Sequence, residues 1–320
     1  MLSMFLGTAI PEGVLVLASV IFCLTLSFLI LKNPPDFLPR DHGRAFAVNG
    51  ELSKGKLRGV GLIMISVFLL SVLLFLPVSI ELLIYSVIIF LMMLSGYLDD
   101  AAKNPWSDYK KGAIDLVLSI LMVVTFLCNN STEIIFFDRS VYIHPVLYGI
   151  LGVILIWVSV NVTNCSDGVD GLCGGVTVVM LIAYAIIFRN NMDITYKGSC
   201  FVFAVAILAY LRYNWHPSTM LMGDAGSRAI GIFLALIAMK SGHPYSFLLM
   251  GLVFILDGGT GLVKVFVMRF LKIPFLKNIR CPLHDQMRKN MGWKDVPVVL
   301  FMIGAQTFLC IVEGLLLILL

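Results

Sequence analysis

Runs of about twenty consecutive apolar residues recur along this chain, and they limit what it can fold into. A helix needs about 20 such residues to cross the hydrocarbon core of a bilayer. Ten runs stand out, at 13–32, 60–76, 79–97, 113–128, 145–160, 172–188, 199–211, 229–240, 245–268 and 298–319. The run at 199–211 is short, and 245–268 is interrupted by Asp257 and the stretch Gly258-Gly259-Thr260-Gly261. With 59% hydrophobic and 13% charged residues, the chain lacks the polar side chains to cover a soluble surface. In lipid, every backbone polar group must be satisfied internally. The expectation is therefore an all-α integral membrane protein of about ten transmembrane helices, a single polytopic domain over residues 1–320. The first run has no basic segment before it and no small-residue cleavage pattern after it, so it reads as a span. The seven cysteines are scattered and mostly lie in apolar runs. They read as small buried hydrophobes rather than a disulfide framework or a thiolate metal site.

Ten crossings would sort the polar segments onto two sides. The segments around 32–58, 98–111, 161–171, 212–228 and 264–297 hold nineteen of the 23 lysines and arginines. Only Arg139, Arg189, Lys197 and Lys240 fall on the other side. Excess positive charge marks the cytoplasmic side, which puts both termini outside the cytoplasm. Seven carboxylates lie near the cytoplasmic ends of spans: Asp99, Asp100, Asp115, Asp167, Asp170, Asp224 and Asp257. One charge at the bilayer centre costs roughly 2.5–3.5 kcal/mol. Seven there would cost about 20 kcal/mol, more than the whole stability of a typical domain. They are expected at the inner interface instead, lining a shared polar cavity.

Three of the cytoplasmic segments present these acids: GYLDD (Gly96–Asp100), NCSDGVDG (Asn164–Gly171) and MGDAGS (Met222–Ser227). A fourth, CPLHDQMRKNMGW (Cys281–Trp293), adds His284 and Asp285. Clustered aspartates suit Mg²⁺, a hard cation held through one or two carboxylates plus phosphate oxygens and water. Lys54, Lys103, Lys110 and Lys111 suit phosphate oxygens. Glycines beside Asp167 and Asp224 let backbone amides approach a ligand, and helix N-termini following such loops favour anions. Together these parts describe phosphoryl transfer, where positioning and charge neutralisation supply most of the catalysis. Each alone has a plainer reading: an aspartate pair as a helix cap, an Asp-Gly as a turn, a histidine as solvated. Recurrence of four such loops on one side outweighs those separate readings. The segment Arg269–Ile279 alternates basic and bulky apolar residues as an interfacial helix would, placed to support the His284 loop and define a groove. An ion-coupled transporter is the competing class. It would place its acids near the midplane within inverted repeats, and no internal repeat is visible.

On these motifs the chain resembles the polyprenyl-phosphate N-acetylhexosamine-1-phosphate transferases over nearly its whole length. GYLDD followed by Lys103 and Lys111-Gly112 matches that family's aspartate-pair loop. Asn161–Leu172 (NVTNCSDGVDGL) and Tyr213–Ser227 (YNWHPSTMLMGDAGS) match its next two motifs in order. Cys281–Trp293 stands where the phospho-N-acetylmuramoyl-pentapeptide transferase branch carries a PIHHH…GW loop. The resemblance to that branch implies transfer of phospho-MurNAc-pentapeptide from UDP-MurNAc-pentapeptide to undecaprenyl phosphate. Lipid I and UMP result, in peptidoglycan synthesis at the bacterial plasma membrane, with the active site on the cytoplasmic face.

The resemblance also implies Mg²⁺ as cofactor with Asp224 as its ligand, and Asp99 as base toward the lipid phosphate. Asp100 and Asp167 would be essential acids and His284 the catalytic-loop histidine. Lys103, Lys111, Asn161, Asn164, Asp170, Asn214, Gly223 and Ser227 match substrate-holding positions, and Lys54 does so across a one-residue gap. Implied partners are the two substrates, the bilayer and a second copy of the chain in a homodimer, with no nucleic acid. Departures are visible as well. His284-Asp285-Gln286 keeps only the first of three histidines, Leu221 replaces a phenylalanine, and Asp257 and Lys264 replace Glu and Gln. The alternative within the family is a GlcNAc-1-phosphate transferase using UDP-GlcNAc. GLCGG (Gly171–Gly175) resembles that branch, whereas Ser166, Pro282 and Gly292-Trp293 fit the muramoyl-pentapeptide branch better.

Overall fold

The computed structural model describes residues 10–41, 43, 50–136, 139–273, 276 and 278–319. Helices stand at all ten apolar runs. We label them α1 (Glu12–Lys32), α2 (Gly61–Phe75), α3 (Ile80–Asp100), α4 (Asp108–Asn129), α5 (Pro145–Cys165), α6 (Leu172–Ile187), α7 (Ile194–Asn214) and α8 (Gly223–Lys240). A broken helix, α9, spans 246–271, the short α10 covers Leu283–Lys289, and α11 covers Asp295–Leu319. Among the described residues six helices, α1, α3, α4, α5, α7 and α11, are long and apolar enough to cross a membrane. Helices α2 and α6 are apolar but only 15 and 16 residues long. Many large apolar side chains face outward on these helices, such as Leu83, Leu121, Ile150 and Phe308, as lipid contact requires.

The axis of the bundle is α8, whose residues are buried from Gly223 to Met239. It packs most heavily against α3 and α5, and α4 packs against those same two helices. Glycines permit the closest approaches. A Cβ on Gly61 of α2 would lie 2.1 Å from the Gly226 nitrogen, and one on Gly96 of α3 would lie 2.4 Å from the Asp224 carbonyl oxygen. Both contacts press neighbouring backbones onto the first turn of α8.

Three features depart from the sequence expectation. First, helices begin earlier than the apolar runs. Ser107 caps α4 by accepting from the Lys110 amide at 3.3 Å, so Lys110 and Lys111 are helical. Helix α8 starts six residues before its apolar run, which puts Asp224 and Ser227 in its first two turns rather than in a loop. Second, the chain is not purely helical. Strands β1 (Glu133–Phe136) and β2 (Arg139–Tyr142) form an antiparallel pair, tied to the end of α8 where the Ile135 amide donates to the Gly242 carbonyl at 2.9 Å. Four-residue strands carry too little periodicity to stand out beside twenty-residue runs.

Third, the expected interfacial helix over Arg269–Ile279 does not form. Helical geometry ends at Leu271 and Lys272 is left-handed at φ 55°. Residues 274, 275 and 277 of that segment lie outside the described residues. Within α9 itself the glycine-rich interruption becomes a π-helical turn over Ile255–Gly259.

Gly96→Ala is expected to lower thermal stability by about 1–3 kcal/mol, because backbone atoms cannot yield to the new methyl group. Gly112→Ala, with nothing within 4 Å of the added carbon, should be neutral or slightly stabilising. Thermal unfolding of the two variants in one detergent checks this.

Candidate active site

Loops and helix ends from α3, α4, α5 and α8 meet at one end of the bundle, where a connected set of charges forms. Asp99 and Asp100 close α3, and Lys111 lies one turn into α4. The Lys111 ammonium bridges Asp99 Oδ2 and Asp224 Oδ2, the latter at 3.1 Å. Asp99 Oδ1 also accepts from the Trp106 amide at 2.7 Å. Arg58 reaches three carboxylates: Asp100 at 2.8 Å, Asp41 at 3.3 Å and Asp224 at 3.7 Å. Burial works against the charge on Arg58, but Asp100, Asp224 and Asp41 outweigh it and raise its pKa above the ordinary value. Arg58 is a fixed cation at any working pH.

Backbone geometry completes this cluster. Gly223 is left-handed at φ 68°, and a Cβ there would fall 2.1 Å from Asp100 Oδ2. Asp100 Oδ2 accepts instead from the Ala225 amide at 3.2 Å, at the N-terminus of α8. That end of the helix favours negative charge. Ser227 is buried, its hydroxyl donating to the Gly223 carbonyl at 3.0 Å.

Deeper by one turn, Asp115 and Arg228 form a buried ion pair. Above that neutral pair, four carboxylates and two cations are linked by ion pairs, leaving two formal negative charges.

Next to this cluster lies the loop Asp167–Gly171. Asp170 accepts from the Ser218 amide at 3.0 Å and lies 3.7 Å from Lys56 and 3.5 Å from His216. His284 packs against Gly168, where a Cβ would come within 2.4 Å of Nε2. Its Nδ1 lies 2.8 Å from Asp257 Oδ2, while its backbone amide donates to Asp257 Oδ1 at 2.7 Å. The π-turn delivers Asp257 to this position, and Gly258 lets that turn pass within contact of the Val162 carbonyl. An acidic partner on Nδ1 orients the ring and leaves Nε2 facing the Asp167 loop.

The sequence-predicted residues therefore separate into groups. Asp99, Asp100, Asp224, Lys111 and Gly223 come together around the charge cluster. His284 and Asp170 belong to the adjoining loop network, as does Asp167, which is half-buried beside Gly168. Asn164 is half-buried at the end of α5, its carbonyl accepting from the Asp167 amide at 3.2 Å. Asn161 lies one turn earlier, with its amide nitrogen on the Trp157 carbonyl at 2.8 Å.

Asn214 is buried, with Oδ1 accepting from Gly171 and Nδ2 donating to Met220, both at 2.9 Å. Both of its amide atoms engage backbone, so it ties the start of α6 to the loop that follows α7. Lys54 and Lys103 are exposed on turns. From the Lys54 segment it is Lys56 and Arg58 that turn inward. Lys264 donates to the Ile279 carbonyl at 2.7 Å. Asp285 lies 3.4 Å from Arg288 and 3.9 Å from Arg280, and Gln286 Oε1 accepts from the Arg280 amide at 2.7 Å.

The expected common cavity for all seven acids is not what forms. Asp115 and Asp257 are closed off with Arg228 and His284, because an apolar surround demands a partner for each charge. A cavity of about 340 Å³ does exist, but at the opposite end of the bundle, lined by Glu12, Ser79, Glu81, Asp193, Tyr196 and Lys240. Glu81 is already paired there with Lys240 at 3.1 Å and Asn130 at 2.6 Å. Among the described residues no three His, Cys, Asp or Glu side chains form a metal cage. A hard cation that relies on one or two carboxylates and substrate phosphates requires no such cage. Asp99 and Asp224, which already hold one ammonium between them, fit that need.

The model of "Glycosyl transferase family 4" matches residues 82–242, the stretch that carries Asp99, Asp100, Lys111, Asp167 and Asp224. This chain belongs to that family. It is 38% identical over 299 residues to a protein of Treponema pallidum (strain Nichols), covering 86% of this chain and 82% of the relative. A relative from Clostridium botulinum (strain Eklund 17B / Type B) is 30% identical over 239 residues, covering 72% of this chain and 71% of its own. One from Caldanaerobacter subterraneus subsp. tengcongensis is 32% identical over 185 residues, 57% of each chain. All three bear the name phospho-N-acetylmuramoyl-pentapeptide-transferase. Family membership makes the chain a phosphoglycosyl transferase of peptidoglycan synthesis and removes the transporter reading.

Sequence reasoning missed Arg58, Lys56, Asp41 and Arg228, and it put Asp257 in a shared cavity without giving it His284 as partner. One signal was available: residues 56–58 alternate basic, apolar, basic, the period that puts Lys56 and Arg58 on one side of an extended segment. Asp257→Asn should lower nucleotide release about tenfold to a hundredfold by loosening the His284 ring, while the thermal midpoint shifts by only a few degrees. Release kinetics and melting of the same preparation check both halves.

Proposed function

We propose that this chain transfers phospho-MurNAc-pentapeptide from UDP-MurNAc-pentapeptide to undecaprenyl phosphate, producing lipid I and UMP. The carrying observation is that Asp99 and Asp224, from different helices, share one cation within a cluster two negative charges in excess. That excess equals the charge of one Mg²⁺, with Asp224 as its ligand. When bound, the ion offsets phosphate charge at the reacting centre.

The chain's own groups supply the rest. A lipid phosphate oxygen forms a new bond to the phosphorus that bears the sugar. The bond from that phosphorus to the bridging oxygen breaks, and UMP departs with the electron pair. A phosphate monoester retains part of its second proton near neutrality, with a pKa of about 6. Asp99 accepts that proton as the attack begins. Arg58 and Lys111 are the cations placed to offset repulsion between the two phosphates. Asp100 holds Arg58 and the start of α8 in place, and His284, oriented by Asp257, faces the Asp167 loop.

Ten crossings with both termini outside would put this site at the cytoplasmic surface, where a water-soluble nucleotide and a lipid phosphate can meet. The nineteen basic residues on that side support the orientation. The sequence similarity to relatives named for this muramoyl-pentapeptide transfer supports the choice of donor.

Purified protein in undecaprenyl-phosphate micelles should release UMP from UDP-MurNAc-pentapeptide and lose that activity when Mg²⁺ is chelated. Asp224→Asn should reduce release by about two to three orders of magnitude without unfolding the protein. Activity with UDP-GlcNAc alone would move the chain to the other branch of the family. Full activity under chelation would remove Mg²⁺ from the reading.

A further inference from the structure

Helix α4 reaches α8 through two polar rungs. Lys111 to Asp224 is the outer rung, and Asp115 to Arg228 is the inner one. Both steps, 111 to 115 and 224 to 228, are four residues, one helical turn on one face. The rungs are crossed in sign: base to acid outside, acid to base inside. Arg228 is 1% exposed and Asp115 3%. Nε and Nη2 of Arg228 both lie on Asp115 Oδ1, the first at 3.1 Å, and Nη1 has no hydrogen-bond partner. Helices α3 and α5 each pack against both α4 and α8, so packing sets the spacing of α4 from α8 only indirectly.

We propose that Asp115 and Arg228 are positioning residues for the transfer reaction, a buried strut that fixes the height of α4 against α8 so that Lys111 stays between Asp99 and Asp224. The inference rests on the functional reading above. A buried ion pair is a poor source of stability, because apolar residues of similar volume serve as well or better. It is a good source of register, because charge in an apolar surround tolerates no other partner. Nε and Nη2 of Arg228 converge on Asp115 Oδ1, which anchors α4 to α8 at that turn and resists the sliding that would carry Lys111 away from Asp224. The same arrangement keeps a third positive charge one turn beneath the reacting carboxylates.

The test separates register from stability. In Asp115→Leu/Arg228→Leu, the thermal midpoint should hold or rise and KM for the nucleotide substrate should change less than about threefold. The kcat should fall about tenfold or more. In the same full-length preparation, Lys111 should acetylate faster with an amine-reactive ester, measured by peptide mass spectrometry against Lys110, which lies exposed over the Trp106 ring. Unchanged kcat, or a lower kcat with unchanged Lys111 labelling, overturns the proposal.

If the double variant does not accumulate in the membrane, Arg228→Lys carries the test. It keeps the charge but gives up the paired N–H donors that converge on Asp115 Oδ1, so kcat should fall and Lys111 labelling should rise. No change in either overturns the strut. Labelling needs no turnover, so a parent protein without transferase activity would defeat the functional reading while leaving the strut separately measurable.

Discussion

A carboxylate stays ionised inside an apolar helix bundle only where a cation or a set of donors answers it. The loop end of this protein is organised around that requirement. Asp99 and Asp224 share Lys111, Asp100 takes Arg58, Asp115 takes Arg228, and Asp257 takes the His284 ring. Apart from Asp99 with Lys111, each pairing crosses between segments distant in sequence. Charge neutralisation and tertiary assembly are therefore the same event here, and an acid without its partner would also be a loop out of place.

The pairs can form because backbones come unusually close. Gly61 and Gly96 bring α2 and α3 onto the first turn of α8, which places the Asp99–Asp100 end of α3 against Asp224. Lys111, Asp99 and Asp224 all stand on helices rather than loops, and sites built on such elements hold their geometry best. Phosphoryl transfer asks for that kind of precision, since its catalysis is positioning and charge rather than covalent chemistry. The histidine follows a different route. Its position depends on a π-turn in α9, a local irregularity that turns Asp257 inward where a regular helix would carry it past.

Much of the candidate site was legible in the chain. Asp99, Asp100, Asp167, Asp224 and His284 were visible because acids and glycines are conspicuous in a sequence this apolar. Helix positions were legible because apolar runs are long, but helix starts were not: caps and polar first turns carry no hydropathy signal, so α4 and α8 begin before their runs. Partner choice was illegible as well. Lys54, Lys56 and Arg58 look alike as residue types, yet only the latter two turn inward, because a turn at Lys54-Gly55, with Gly55 left-handed at φ 85°, interrupts the alternation before Lys56. Asn214 matches a substrate-holding position by motif, and the structure adds that it braces two loops through the Gly171 amide and the Met220 carbonyl.

The sequence by itself determined that this protein is a bundle of apolar helices with acidic and basic residues gathered between and at the ends of the apolar runs. Hydrophobic length and composition suffice for that, because each helix satisfies its own backbone and needs only an apolar surround. The tertiary structure alone decided which charge answers which: Arg58 over Lys54, Arg228 under Asp224, Asp257 behind His284. Those choices depend on distances of a few ångströms between segments more than a hundred residues apart, and no local pattern encodes them.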